Sequence, residues 1–338
     1  MSVPSGTRNI TMHSSAQLID RIEAALERRA ELLAEPEPSA CRLVHDRADG
    51  IDGLVIEKLA DVLIVQRHEG RLKLNERQLR DAAEYVRTRV NARAVYLKDF
   101  VRDRAEVDEA VDARHRDAQP WIGEPVEPVL TVAEAELLLR VRPYDGFSVG
   151  VFLEHRANRQ RVRLMAAGRR VLNAFSYTGG FSVAAARGTA LSVASVDVSR
   201  RYLAWSRDNF EANAIELDPH RFFRSDIFDF YRRARRSGLR YDLIVLDPPS
   251  FARLRRPKRT FELTRQLERL VSEGVALLDP GGIVLLAVNH RGIGHDRLAA
   301  ALEGAGSPLR CRLMETPEPP PDFAGDPDYC KTVIARYE

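Results

Sequence analysis

The chain has 338 residues, enough for two domains, with an ordinary hydrophobic fraction of 44% and a net charge of +3 that argues only weakly for a polyanionic partner. No apolar run reaches the roughly 18 residues of a membrane span; the longest, Ile283 to Val288, is strand-sized. Cys41, Cys311 and Cys330 are too scattered for a disulfide framework or a CxxC metal site.

The histidines lack ligand spacing, so no metal is expected. Met1 to Ile10 shows no charged-then-apolar signal pattern, and a cytoplasmic location is expected. Basic residues are almost all Arg, a bias that by itself singles out no site.

In chain order, Ala16 to Ala34 carries apolar residues near helical spacing and reads as one helix, ended by Glu35-Pro36-Glu37-Pro38. Short strands follow at Cys41 to His45, Gly53 to Lys58 and Val62 to Arg67, with Asp-Gly turns between the first two. Leu72 to Val90 reads as an amphipathic helix and Ala94 to Leu97 as a strand. Asp103 to Pro128 looks like an irregular connection, and Leu137 to Arg142 is strand-like. This part is expected to be a small α+β unit.

From Arg156 the pattern becomes an alternation of helix and strand. A helix over Phe152 to Ala167 precedes strands at Arg170 to Ala174, Leu191 to Asp197, His220 to Arg224, Tyr241 to Asp247, Gly282 to Val288, Leu309 to Met314 and Thr332 to Tyr337. Helices are expected between most of them: Gly180 to Ala186, Arg200 to Ala214, Ile227 to Arg236, Arg259 to Leu278 and Asp296 to Gly304. Apolar strands separated by amphipathic helices predict a doubly wound, mostly parallel sheet. Pro317 to Pro327 is too rich in proline for a crossover helix, so the last strand is expected to run antiparallel. The boundaries expected are a helical extension over 1–40, a small α+β domain over 41–142 that would hold substrate, and an α/β domain over 143–338.

Ligands of such sheets sit at the carboxyl ends of the strands. Thr178-Gly179-Gly180 follows the first strand but lacks the GxGxxG spacing that meets a pyrophosphate. Asp197 ends the second strand, where a carboxylate can accept two ribose hydroxyls. Asp226 follows the third, suited to an adenine amino group with Ile227 against the ring; Asp226 and Thr178 could equally be helix caps. Asp247-Pro248-Pro249-Ser250-Phe251 follows the fourth. Acids and a glycine turn in this order suit S-adenosylmethionine (SAM), which carries no phosphate.

Asp247-Pro248-Pro249 resembles the (Asn/Asp)-Pro-Pro-(aromatic) loop of nucleobase methyltransferases. Prolines remove amide donors, so the Asp carboxylate and backbone carbonyls would present acceptors to a base, and Phe251 would stack on it. From about residue 41 onward the chain resembles the large-subunit rRNA methyltransferases of the class I SAM-dependent superfamily. The matching segments are Asp49-Gly50-Ile51-Asp52-Gly53-Leu54-Val55-Ile56-Glu57, Val149 to Arg159, Leu172 to Val183, Val196-Asp197-Val198-Ser199 and Asp242 to Phe251.

The resemblance implies a Rossmann-like class I methyltransferase fold with a seven-stranded sheet. It implies cofactor contacts from Asn173, Phe175, Ser176, Tyr177, Thr178, Gly179, Asp197 and Ser199, with Phe152 to Arg159 closing over the cofactor and Arg159 among the contacts. It implies an RNA partner, rRNA above all. A homo-oligomer is compatible with it.

Members that make 5-methylcytosine carry a catalytic cysteine after the fifth strand, where this chain has Ala287-Val288-Asn289-His290-Arg291. Cys41 and Cys311 lie far from the catalytic strand ends by topology, and Cys330 begins the final edge region. Asn289 and Arg291 look more like the Asn-x-Arg element of 7-methylguanine relatives. Direct transfer to a base nitrogen is therefore expected, with a 5-methylcytosine enzyme using an unrecognised cysteine as the alternative. Arg253, Arg255, Arg256, Lys258 and Arg259 follow Phe251 and suit flanking phosphates, or form a solvated loop. A small-molecule methyltransferase and a SAM-binding RNA-association module without turnover are the competing readings.

Overall fold

The computed structural model describes residues 15–34, 39–100, 109–255, 258–306 and 308–338. The chain divides into two compact units: Met1–Leu130 with Arg142–Val149, and Thr131–Val141 with Gly150–Glu338.

In the first unit, α1 (Ser15–Glu27) and α2 (Ala30–Ala34) replace the single helix expected over 16–34. The break falls at Arg29, whose buried guanidinium turns inward to Asp49, Ala25 O and Arg42 O. Then come β1 (Ala40–His45), β2 (Leu54–Leu59), β3 (Val62–His68), α3 (Glu76–Arg89), β4 (Ala94–Phe100), α4 (Glu109–His115) and β5 (Ile122–Gly123). The sheet runs β1-β2-β3-β4-β5, with α3 crossing between the parallel β3 and β4. The segment expected to be irregular thus contains a helix and a short strand, while 101–108 lie outside the described residues. Residues 1–40 are not an appendage in their described part. Leu18, Ile22, Ala25 and Leu26 of α1 share one core with Leu43, Ile56, Leu63 and Val95.

The second unit opens with the hairpin β6 (Leu130–Glu134) and β7 (Leu137–Val141), which the expected boundary at 142 assigned to the first domain. Its packing explains the difference. Leu137 clusters with Val183, Ala184 and Phe210, and Asn209 and Asn213 bond the β7 backbone at Arg140 and Leu138.

The order is then α5 (Arg156–Met165), β8 (Arg170–Ala174), α6 (Gly180–Arg187), β9 (Ser192–Asp197), α7 (Arg200–Ala212), β10 (Arg221–Arg224), α8 (Ile227–Arg236) and β11 (Tyr241–Leu246). It continues with β12 (Phe251–Arg255), β13 (Lys258–Glu262), α9 (Leu263–Val275), β14 (Leu278–Val288), α10 (His295–Gly304), β15 (Cys311–Glu315) and β16 (Lys331–Tyr337).

The main sheet is seven-stranded, ordered β10-β9-β8-β11-β14-β16-β15. β10, β9, β8, β11 and β14 are parallel, and β16 runs antiparallel to both neighbours, as expected for the last strand. Alternate residues face opposite sides. Leu172, Ile244, Leu246 and Leu286 pack under α8, α9 and α10, while Val171, Leu243, Val245 and Leu285 pack under α5 and α6. Each such buried aliphatic side chain contributes about 1.5–3 kcal/mol. The switch point lies between β8 and β11, and this places the strand ends that matter side by side.

One element differs from expectation in kind. Arg259 to Leu278 was expected to be one helix. Instead Phe251–Arg255 and Lys258–Glu262 pair as a hairpin, and α9 begins at Leu263. Buried Phe261, 5.3 Å from the Phe175 ring, anchors the second strand. The leucine period of the helix starts only after it, at Leu263, Leu267 and Leu270.

Candidate active site

β8 ends at Ala174, and the chain turns through Phe175 (φ +57°) and Tyr177 (φ +49°), both in the left-handed region. Two such non-glycine residues so close together store strain that the surroundings must hold in place. The Ser176 N–H donates to Val196 O, the Tyr177 N–H to Asp197 Oδ2 (3.0 Å), and the Gly179 N–H to Ser176 O. Thr178 Oγ1 donates to Gly150 O at 2.6 Å, a tie to the loop rather than a helix cap. Gly179 has φ +79°, and a Cβ there would lie 1.9 Å from Ser206 Oγ on α7. The glycine is thus demanded by helix packing as well as by backbone angle.

Leu139, Gly150, Val151, Phe152, His155, Arg159, Phe175, Ser176, Tyr177, Thr178, Gly180, Phe181 and Asp247 line one cleft at these strand ends. The Phe152, Tyr177 and Tyr202 rings form a ladder with centroids 5.1 and 4.5 Å apart. Ser176 Oγ is buried beside the cleft without a protein partner.

The expected cofactor residues separate into distinct roles. Asp197 accepts from Tyr177 N and Ser199 N (2.7 Å), and burial raises its pKa against those two bonds and one from Val198 N. Ser199 caps α7 by accepting from Tyr202 N. Asn173 does not line the cleft; its Nδ2 donates to Ser182 Oγ (2.8 Å), itself 2.7 Å from Ser195 Oγ.

Asp226 caps α8, accepting from Phe228 N and Asp229 N, and Ile227 is buried among Leu172, Ala174 and Leu246. The cap alternative for Asp226 is thereby realised. Arg159 is one of the cleft-lining residues, but its guanidinium is spent on Glu134 (2.8 and 2.6 Å) and Phe152 O. It therefore holds the Phe152 segment rather than offering a charge to a ligand.

Asp247 follows β11 with its side chain 21% exposed, and its Oδ2 lies 3.2 Å from Nε2 of the buried His155. Burial opposes a charge on His155. The Asp247 carboxylate, by charge and hydrogen bond, and Glu154 outweigh it and raise the imidazole pKa, with Arg159 opposing. Glu154 accepts from Asn289 Nδ2 at 3.2 Å. The pairing of His155 with Asp247 was not read from sequence, although both lie in the matching segments.

Pro248 is buried, and Pro249 and Ser250 are exposed. Phe251 is 49% exposed, with the Arg253 guanidinium 5.1 Å from its ring centroid. Arg255, Lys258 and Arg259 belong to the hairpin strands, and Arg256 lies outside the described residues. Arg291 forms a bidentate pair with Asp326 (2.9 and 2.5 Å) in place of an open substrate contact.

Cys330 corrects the topological expectation. It does not sit at a distant edge, because β16 lies between β14 and β15 and pairs Lys331 with Val288. That register brings Cys330 to the same end of the sheet as Asn289. Its buried thiol is pushed well up, first by desolvation and then by the nearby charges of Glu154 and Asp247, with Lys331 opposing.

Among the described residues no helix is long and apolar enough to cross a membrane, and no group of three or more His, Cys, Asp or Glu residues is arranged to hold a metal.

A parallel sheet closed by one reversed strand, with an acid on the second strand gripping the turn after the first, defines the class I methyltransferases. The chain belongs to the S-adenosylmethionine-dependent methyltransferase family, whose sequence pattern matches residues 42–335. It is 30% identical, over 95% of its length and 80% of the relative's, to YwbD of Bacillus subtilis, named as a ribosomal RNA large subunit methyltransferase.

A relative of that name from Deinococcus radiodurans is 36% identical over 79% of this chain and 64% of its own. The solved methyltransferase SMU.776, in complex with SAH, superposes with a TM-score of 0.84 at 26% identity, covering 96% of this chain and 82% of the other. The protein is an enzyme with SAM as cofactor. The residues present fit that group: a buried unpartnered Ser176 hydroxyl, an aromatic ladder and the Asp197 carboxylate.

Proposed function

We propose that the protein methylates a base of large-subunit rRNA, with a base nitrogen as acceptor. The observation that carries this reading is the Asp247 carboxylate, one of the cleft-lining groups, followed by Pro248-Pro249 and the half-exposed ring of Phe251. Relatives named as large-subunit rRNA methyltransferases support the choice of RNA.

Bound SAM supplies a methyl group activated on a sulfonium. Asp247 orients the acceptor through its carboxylate, and Phe251 stacks on the base, a contact worth about 1–3 kcal/mol. The base lone pair would form the new bond as the carbon–sulfur bond breaks, sulfur keeping its electron pair. The positive charge passes to the base and leaves as a proton where the acceptor carried one. Arg253, with Arg255 and Lys258 paired in the hairpin ladder, supplies cations for flanking phosphates.

A second reading, 5-methylcytosine formation, is favoured by Cys330. A thiolate there would add to carbon 6, carbon 5 would take the methyl group, and loss of the carbon 5 proton to a base would expel the thiolate. Its elevated pKa argues against a ready thiolate.

The test is methylation of rRNA from a strain lacking the enzyme, read by nucleoside mass spectrometry. An N-methylated nucleoside is expected. 5-Methylcytosine, with an adduct to 5-fluorocytosine RNA lost in Cys330→Ser, would establish the second reading. No methylation would sink both. Phe251→Ala should weaken RNA binding while leaving SAM affinity in place.

A further inference from the structure

We propose that His155 is a positioning residue of methyl transfer: its Nε2–H bond to Oδ2 turns the Asp247 carboxylate so that the other oxygen meets the acceptor base. This rests on the reading of Asp247 as the group that faces the base.

The geometry points one way. His155 is buried, packed 5.3 Å from the Phe181 ring of α6, and its Nε2 lies 3.2 Å from Asp247 Oδ2. On the other side of the ring, Asn158 Nδ2 stands 3.3 Å from Nδ1 while donating to Thr332 Oγ1 on β16 (2.8 Å). An amide NH2 only donates, so Nδ1 accepts and the imidazole proton sits on Nε2, toward Asp247. Among the described residues Asp247 Oδ1 has no such bond. One oxygen is thus held from behind and the other left for the cleft.

The arrangement follows the logic of an oriented acid–base pair, in which a buried partner fixes the rotamer of the group that meets the substrate. The charged groups around the ring are Asp247 at the end of β11, Glu154 beside it and Arg159 on α5. The Cys330 thiol and Lys331 lie ahead of and within β16.

Protonation adds a cation behind Asp247 and cancels the negative charge that would stabilise a base becoming positive. Deprotonation restores that charge and keeps the Nε2–H bond. The rate should therefore rise with pH through the His155 titration, at a pH above the ordinary imidazole value of 6.5.

The experiment uses the full-length protein in two arms. In the first, NMR titration of His155 is compared in wild type and Asp247→Asn; the loss of the carboxylate charge should lower the His155 pKa by about one unit or more. An unshifted resonance overturns the pairing, whatever the substrate.

In the second, rRNA methylation is followed against pH. His155→Leu should lower kcat at saturating SAM about tenfold or more. His155→Gln, which keeps an N–H donor, should recover most of that loss and abolish the pH inflection. Glutamine as impaired as leucine, or an inflection surviving in His155→Gln, overturns the proposal. Should the wild type leave rRNA unmethylated, the substrate reading fails and the titration alone decides the pair.

Discussion

The backbone N–H of Tyr177 donates to the Asp197 carboxylate at 3.0 Å, so the strained turn after β8 and the acid at the end of β9 are a single constraint. The ring of Tyr177 is placed by the same turn against Phe152 and Tyr202. The acid at this position therefore also builds the wall of the cleft.

Asp197→Ala should weaken SAM binding by about 1.5–3 kcal/mol or more, since a charged acceptor and the brace on Tyr177 are lost together. Asp197→Asn should lose less, because an amide oxygen can still accept one of the two N–H groups. Calorimetry on both variants checks this; equal affinities for wild type and Asp197→Ala would sink the assignment. Burial raises the Asp197 pKa, so SAM affinity should begin to fall, as the pH is lowered, above the usual 3.8 of an aspartate. For stability the sign is opposite. Holding this carboxylate ionised in the fold costs stability at neutral pH, and that cost is relieved as the group gains its proton.

Gly179→Ala should destabilise the protein by about 2–4 kcal/mol, combining a left-handed backbone with overpacking. The new methyl would stand 1.9 Å from Ser206 Oγ. Ser206→Gly in the same chain should recover the part due to crowding and none of the part due to φ. Urea unfolding of both variants beside wild type measures it, and a Gly179→Ala midpoint equal to wild type would contradict the packing argument.

What was legible in sequence is what short-range pattern encodes. Strand ends at Ala174 and Asp197, and to within one residue at Leu246, follow from apolar runs that give way to a polar turn or an acid. What was not legible depends on partners distant in the chain. Asp247 looks like an open acceptor until the fold brings His155 against it. Arg159 looks like a ligand contact until the β6–β7 hairpin, missed in part because the strand Leu130–Glu134 is short, delivers Glu134. Cys330 looks remote until β16 inserts between β14 and β15. The β12–β13 hairpin was hidden because an arginine run broken by Leu254 and Pro257 lacks the apolar alternation that announces a strand.

The Arg159–Glu134 pair is buried on both sides, at 4% and 3% side-chain exposure. Removing one partner leaves a buried charge, so Glu134→Ala or Arg159→Ala should each cost about 3–5 kcal/mol. The double variant should cost much less than the sum, because neither charge remains stranded. Arg159→Ala should also weaken SAM binding by freeing Phe152, whose carbonyl it holds at 2.9 Å. Chemical denaturation of the double-mutant cycle is the measurement; additive losses would show that the two do not act as a pair.

Lys98 in the first unit predicts a pH dependence of its own. Its side chain is 1% exposed, and its Nζ donates to His115 O (3.1 Å) and Gly146 O (2.5 Å). Burial pushes its pKa down to about 7, helped by Arg116 and resisted by Asp145. The unfolded chain keeps the ordinary value of 10.5, so between these values the unfolded state binds the extra proton and stability must rise with pH. One proton corresponds to a slope of at most about 1.4 kcal/mol per pH unit, and about 1–2 kcal/mol is expected between roughly pH 7.5 and 9. Below about pH 7 that contribution is gone. Lys98→Met, which cannot titrate, should lose this rise even if its stability at a single pH differs from wild type through the two carbonyls left without a donor. Urea unfolding at the two pH values for both proteins decides it, and an identical rise in wild type and Lys98→Met would show that the buried amine is not its source.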